Sequence, residues 1–178
     1  MTIHELSAAG DIAALTAALD DGADANARDA GGAAPLHHAA GKGHLGADTR
    51  ARDTVRQTAL DWSAFDGHPE ITALLLEKGA DARSADRNSS TALHWAAAQG
   101  NLEAAKLLIA AGADVHARES DGMTALHWAA AEGHVEVATV LIDAGADVDA
   151  ARRDGATPLH WASELGRLDA VRVLVERG

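Results

Sequence analysis

The segment TALHWAAAQGNLEAAKLLIAAGADV (residues 91–115) carries two helical patterns separated by one glycine. On a wheel of about 100° per residue, Ala96, Ala97 and Gly100 fall within roughly 60° of Leu93 and form one apolar stripe. Trp95 falls at about 200°, on the opposite side, flanked by Ala98 and Gln99. This predicts a short helix over residues 92–99, with Gly100 suited to the left-handed residue that closes it. Leu102, Ala105, Leu107, Leu108 and Ile109 predict a second, more apolar helix that ends by Gly112. A pair of helices this short cannot bury its own apolar faces, so it must stack on neighbours.

The pattern recurs. TALDWS, TALHWA, TALHWA and TPLHWA begin at Thr58, Thr91, Thr124 and Thr157, 33 residues apart. APLHHA begins at Ala34, only 24 residues before Thr58. A second motif appears as DGADANAR from Asp21, KGADARSA from Lys78, AGADVHAR from Ala111 and AGADVDAA from Ala144. Together they divide the chain into units 1–28, 29–52, 53–85, 86–118, 119–151 and 152–178. RNSS from Arg87 and SDGM from Ser120 supply turn chemistry between units. Pro35 and Pro158 stand where a first helical turn tolerates the missing N–H.

A 33-residue period with the T-P-L-H-x-A pattern resembles the ankyrin repeat family, across nearly the whole chain. The resemblance implies an all-α solenoid, with a β-hairpin-like turn and two antiparallel helices per unit stacked into a curved array. It implies recognition of a protein partner rather than catalysis, through the concave groove lined by the inner helices and through the hairpin tips. It also implies a structural, turn-bridging role for the motif histidines His37, His94, His127 and His160. Asp61 replaces that histidine in the third unit, which marks a weaker junction. His44, His68 and His134, beside the outer helices, are read as structural as well.

The second unit is nine residues short, about the length of one outer helix. GHL meets GAD at Leu45–Gly46, so the outer helix is lost and both flanking motifs survive. Three explanations stand: a tolerated degenerate repeat, a plain in-frame deletion, or a slot for a partner's helix. Lys42, Arg50, Arg52 and Arg56 form a basic island that favours the slot. In each case the first unit is expected to couple loosely to the rest.

The chain's aromatic residues are four Trp and one Phe. Trp62, Trp95, Trp128 and Trp161 share one place in their repeats, and His38 takes it in the short unit. The wheel puts Phe65 and Asp66 beside Trp62, Ala131 and Glu132 beside Trp128, and Glu164 and Leu165 beside Trp161. Trp is enriched at interface hot spots and loses little side-chain entropy on binding. The competing structural reading lays the rings sideways against the next inner helix, where they thicken a core of small residues. Phe65 has no counterpart in other repeats, so repeat packing explains it least. The candidate partner-binding residues are Trp62, Phe65, Asp66, Trp95, Gln99, Trp128, Glu132 and Trp161. The tips Arg56, Arg87, Asn88 and Met123 are expected to flank them. A partner would carry apolar anchors and basic groups.

Composition narrows the function. The chain is 47% hydrophobic and 24% charged, a globular balance. It has no cysteine, which excludes disulfides and thiolate chemistry. A formal charge of −12 opposes nucleic acid. No basic, apolar leader follows Met1, and no apolar run approaches membrane-span length. A cytoplasmic module is therefore expected. His94, His127 and His160 lie one repeat apart, ~8–10 Å between helices, too far to share a zinc with ligands at about 2 Å. His37 and His38 diverge by about 100° on a helix. HELSA at His4 lacks a second histidine, and no nucleophile-elbow, P-loop or dinucleotide motif is found. No catalytic, metal or cofactor site is expected. The last unit, with Val171, Val173, Leu174 and Val175 close together, leaves self-assembly as the alternative to a monomeric adaptor.

Overall fold

The structure, a computed structural model, describes residues 49–50 and 52–178. The first unit, the Leu45–Gly46 junction, Lys42 and the histidines before it lie outside the described residues. Eight helices occupy the described part: α1 (Ala59–Asp66), α2 (Pro69–Glu77), α3 (Ala92–Gln99), α4 (Leu102–Ala110), α5 (Ala125–Glu132), α6 (Val135–Asp143), α7 (Pro158–Glu164) and α8 (Leu168–Arg177). The odd-numbered helices pack one on the next as an inner row, and the even-numbered helices form an outer row behind them. The architecture is an ankyrin-type helical solenoid, as the repeat pattern predicts. An isolated bridge between Ala85 and Thr91 is the only β pairing among the described residues.

Each inner helix starts for a local reason. Thr58, Thr91, Thr124 and Thr157 hold extended backbone and pair with the residue three positions on. In the last three the partner is histidine, whose Nδ1 accepts the threonine N–H at 3.1–3.2 Å. Such caps contribute about 1 kcal/mol each. Gly67, Gly100 and Gly133 then close α1, α3 and α5 in the left-handed conformation. Pro158 begins α7 at its first turn, the place expected for it.

The core is a ladder of leucines and alanines. Leu60, Leu93 and Leu126 are buried along the inner row, and Leu75, Leu108 and Leu141 along the outer row. Leu93, Ala96 and Ala97 have no exposure above 0%, which confirms the predicted stripe. Alanine at 96, 97, 129 and 130 lets neighbouring helices approach closely.

Polar contacts join each repeat to the next. At the turns, Arg87 N–H donates to Val55 O at 3.0 Å and Ser120 N–H to Asn88 O at 2.8 Å. Arg52 Nη1 donates to Ala85 O at 2.7 Å, and Arg118 Nη1 to Ala151 O at 2.8 Å. Arg52 is thus a staple between repeats rather than a free cation of the expected basic island. At the other end of the inner helices, Asn101 Nδ2 donates to Ala64 O at 2.7 Å, and Arg167 Nε to Ala131 O at 2.8 Å. His134 Nε2 fills the same place, 3.3 Å from Ala98 O, in keeping with the structural role expected for it.

In the last pair, Leu174 is buried while Val171 and Val173 are partly covered. Val175, Leu168 and Leu165 are exposed. Of the four residues expected to leave an apolar surface on this repeat only Val175 does so, joined by Leu165 and Leu168, which the expectation did not name.

Candidate functional site

Four helix starts at one register carry Trp62, Trp95, Trp128 and Trp161 onto one face of the inner row. All four are partly buried. Trp128 packs against the core, as the structural reading of the column expects.

Trp62, Phe65 and Trp95 come together. The Phe65 ring centroid lies 6.5 Å from Trp62 and 5.7 Å from Trp95, with interplanar angles of 73° and 76°. Edge-to-face geometry of this kind is the favoured one for aromatic pairs. With Gln57 and Asp61 the three rings line a cleft of ≈ 200 Å³. Phe65 is 37% exposed, so its ring is held by its neighbours yet open to a partner.

Trp95 is also a wall of the next cleft, ≈ 390 Å³, which it shares with Gln99, Trp128, Glu132, Glu119 and His134. Two rings and two carboxylates thus meet in one depression of mixed polar and apolar lining. Trp161 lies further along, with the Arg152 guanidinium 5.4 Å from its ring centroid. Asp66 is exposed but belongs to the lining of neither cleft.

The turn residues separate. Arg56, Arg87 and Asn88 are exposed, as expected of tips. Arg56 and Ser89 hold φ of 68° and 64°, where the equivalent positions in later repeats are Gly122 and Gly155. A non-glycine residue there costs about 1–2 kcal/mol. Met123 is a correction. It is 5% exposed, too buried to serve as a tip that meets a partner. Its apolar character suited the core, and only its proximity to the SDG turn suggested a tip.

One column was missed by sequence reasoning. Nine residues before each Trp stand Asp53, Asp86, Glu119 and Arg152. Glu119 accepts the Trp128 indole N–H at 3.0 Å, and Asp53 that of Trp62 at 3.4 Å. Asp86 instead accepts the N–H groups of Asn88 and Ser90, and Trp95 Nε1 is buried without a partner. The nine-residue offset repeats at the 33-residue period and was visible as such.

The motif histidines explain the junctions. His127 Nδ1 accepts from Thr124, which leaves the proton on Nε2, 3.3 Å from Ala156 O of the next repeat. His94 is held the same way by Thr91. The carbonyls of Met123 and Ala117 face its ring, but neither completes a bond of normal geometry to Nε2. His160, in the last pair, is exposed. Asp61 copies the cap, since its Oδ2 accepts Thr58 N–H at 2.7 Å and Thr58 Oγ1–H at 2.8 Å. Its Oδ1 is buried with no partner.

These buried groups set a pH dependence. Burial pushes the Asp61 carboxyl up to about 6, and burial lowers the histidine range of His94 and His127. Below pH ~6.5 the unfolded chain protonates both histidines while the fold resists, so stability falls. Asp61 opposes this. The fold takes up its proton near pH 6 and the unfolded chain only near 3.8, so acidification through that window stabilises. Asp61→Asn is expected to raise stability at pH 7 by on the order of 1–2 kcal/mol. It is also expected to steepen the loss between pH 7 and pH 5. Urea unfolding across that range measures both; a slope unchanged from wild type would contradict the assignment.

Among the described residues, no group of three or more His, Asp or Glu side chains converges on a metal position. None of their helices is long and apolar enough to cross a membrane. A family model described as ankyrin repeats, in three copies, matches residues 44–119 and 112–178. Comparison with curated proteins found no match.

Proposed function

Since this chain belongs to the ankyrin repeat family, whose repeats generally mediate protein–protein interaction, we propose that it is an adaptor, scaffold or inhibitor that binds its partner across the Trp face. The observation that carries this reading is the pair of adjoining clefts that share Trp95. Three partly open Trp rings and Phe65 form the floor, with Gln99, Glu132 and Glu119 at the second cleft. Large rigid rings in depressions are what interface anchors use. Arg56, Arg87 and Asn88 extend the surface at the tips. Keeping Arg56 in a conformation that costs ~1 kcal/mol or more supports a role for its exposed side chain. The two carboxylates of the second cleft and a net charge of −12 favour a basic, apolar-anchored partner over nucleic acid. The reading needs no cofactor and no enzymatic step, and places the module in the cytoplasm.

The test compares wild type with two variants in a partner pull-down. Trp95→Ala/Trp128→Ala removes the floor. Gln99→Arg/Glu132→Arg alters two exposed positions and leaves the core alone. Both are expected to lose the same partner by about thirtyfold or more, the effect of one hot spot of ~2 kcal/mol. Retention by the folded charge variant would move the interface off this face. Self-assembly is the second reading, supported by exposed Leu165, Leu168 and Val175. A mass that rises with concentration in light scattering, and that Leu168→Glu abolishes, would favour it.

A further inference from the structure

The Trp62–Phe65–Trp95 cleft has features that a general apolar anchor does not need. Its rings stand nearly at right angles, so they form walls rather than a stack. Beneath them lies Asp61, 2% exposed, whose Oδ1 has no hydrogen-bond partner. Asp86 adds a second negative charge close enough to act on Asp61. Arg52, a cation in reach of Asp61, is already bound to Ala85 O, Ser84 Oγ and Arg56 O. The site therefore combines three aromatic rings with negative charge and few groups able to accept a hydrogen bond.

We propose that this cleft receives an alkylated ammonium group, carried on a methylated lysine side chain of the protein partner. The proposal rests on the protein-binding reading above and adds the chemistry of one anchor. The argument is one of matching groups. Ring faces attract cations within about 6 Å, most strongly when the cation is desolvated. An unmodified ammonium brings three N–H donors that must find acceptors, and here only Gln57 and the Asp61 carboxylate offer them. A trimethylated ammonium has no N–H to satisfy and spreads its charge over methyl groups. It fills an apolar cleft at low desolvation cost, and the carboxylate below supplies the counter-charge. Phe65, absent from the other repeats, closes this one cleft and not the Trp95–Trp128 cleft.

Two-dimensional NMR of the four Trp indole N–H groups in the full chain tests this. The probes are tetramethylammonium chloride, Nα-acetyl-trimethyllysine amide, the unmodified lysine amide, and the neutral isostere 3,3-dimethylbutan-1-ol, against sodium chloride at equal ionic strength. The two quaternary probes are expected to shift Trp62 and Trp95 saturably and to leave Trp161 unmoved. Unmodified lysine and the neutral isostere are expected to bind at least tenfold more weakly. Phe65→Leu keeps apolar volume without a π face, and is expected to weaken quaternary binding about tenfold. Asp61→Asn, which retains an acceptor for Thr58, is expected to weaken it several-fold. Equal binding of the neutral isostere, equal binding of unmodified lysine, or no saturable shift would overturn the proposal. A free trimethylammonium probe that binds while the lysine derivative does not would assign the cleft to a small molecule and overturn it too. Loss of partner capture by the Gln99→Arg/Glu132→Arg variant is independent of these results, so the two readings fail separately.

Discussion

Leu126→Ala is expected to destabilise the fold by about 3 kcal/mol, within the ~2–5 kcal/mol usual for a buried leucine. Leu126 is 0% exposed in the middle of the inner row, where α5 meets both α3 and α7. A solenoid has no second layer of core to collapse into the cavity. Each repeat is also held only by its neighbours, so loss at this position weakens two junctions at once. Urea unfolding monitored by circular dichroism measures it, with exposed Leu168→Ala as the comparison expected to change little. A loss below 1 kcal/mol would mean that the alanine-rich surroundings close over the gap.

Gly100→Ala is expected to cost about 2 kcal/mol, and more than the same change at Gly79. Both glycines are left-handed, with φ of 72° and 84°. A Cβ at Gly79 meets open space, so only the backbone term of roughly 1 kcal/mol applies. A Cβ at Gly100 would stand 2.5 Å from Nδ1 of His134. The ring must then move, and its contact with Ala98 O goes with it. The glycine thus serves two purposes: it ends α3 and admits the bridging side chain of the next repeat. Thermal unfolding of the two variants side by side separates these terms. Equal losses would show that the His134 contact contributes nothing.

The helices were legible because their signals are local. Leu93, Ala96 and Ala97 share a stripe, threonine caps precede it, and glycine ends it. The shared register of the Trp column was legible for the same reason, while the partial burial of its rings depends on the neighbouring inner helices. What remained hidden depends on atoms from other repeats. Met123 reads as a turn residue, and only the folded array shows it buried. Arg52 reads as surface charge, yet its partners lie in the following repeat, at Ser84 and Ala85. The column Asn101, His134 and Arg167 does one job with three different side chains, so no residue type betrays it. Phe65 stood out in the sequence as unmatched, but its edge contacts with two Trp rings need the spacing of α1 and α3. The missing outer helix near Leu45–Gly46 lies outside the described residues.

The central claim is that the partner sits on the Trp face. A photo-crosslinking amino acid placed singly at Gln99, on the exposed rim of the second cleft, and at Lys106, on the exposed side of α4, tests it most directly. The account predicts a crosslinked partner from position 99, abolished by Trp128→Ala, and none from position 106. Crosslinking from position 106 with none from position 99 would place the interface on the outer helices and contradict it.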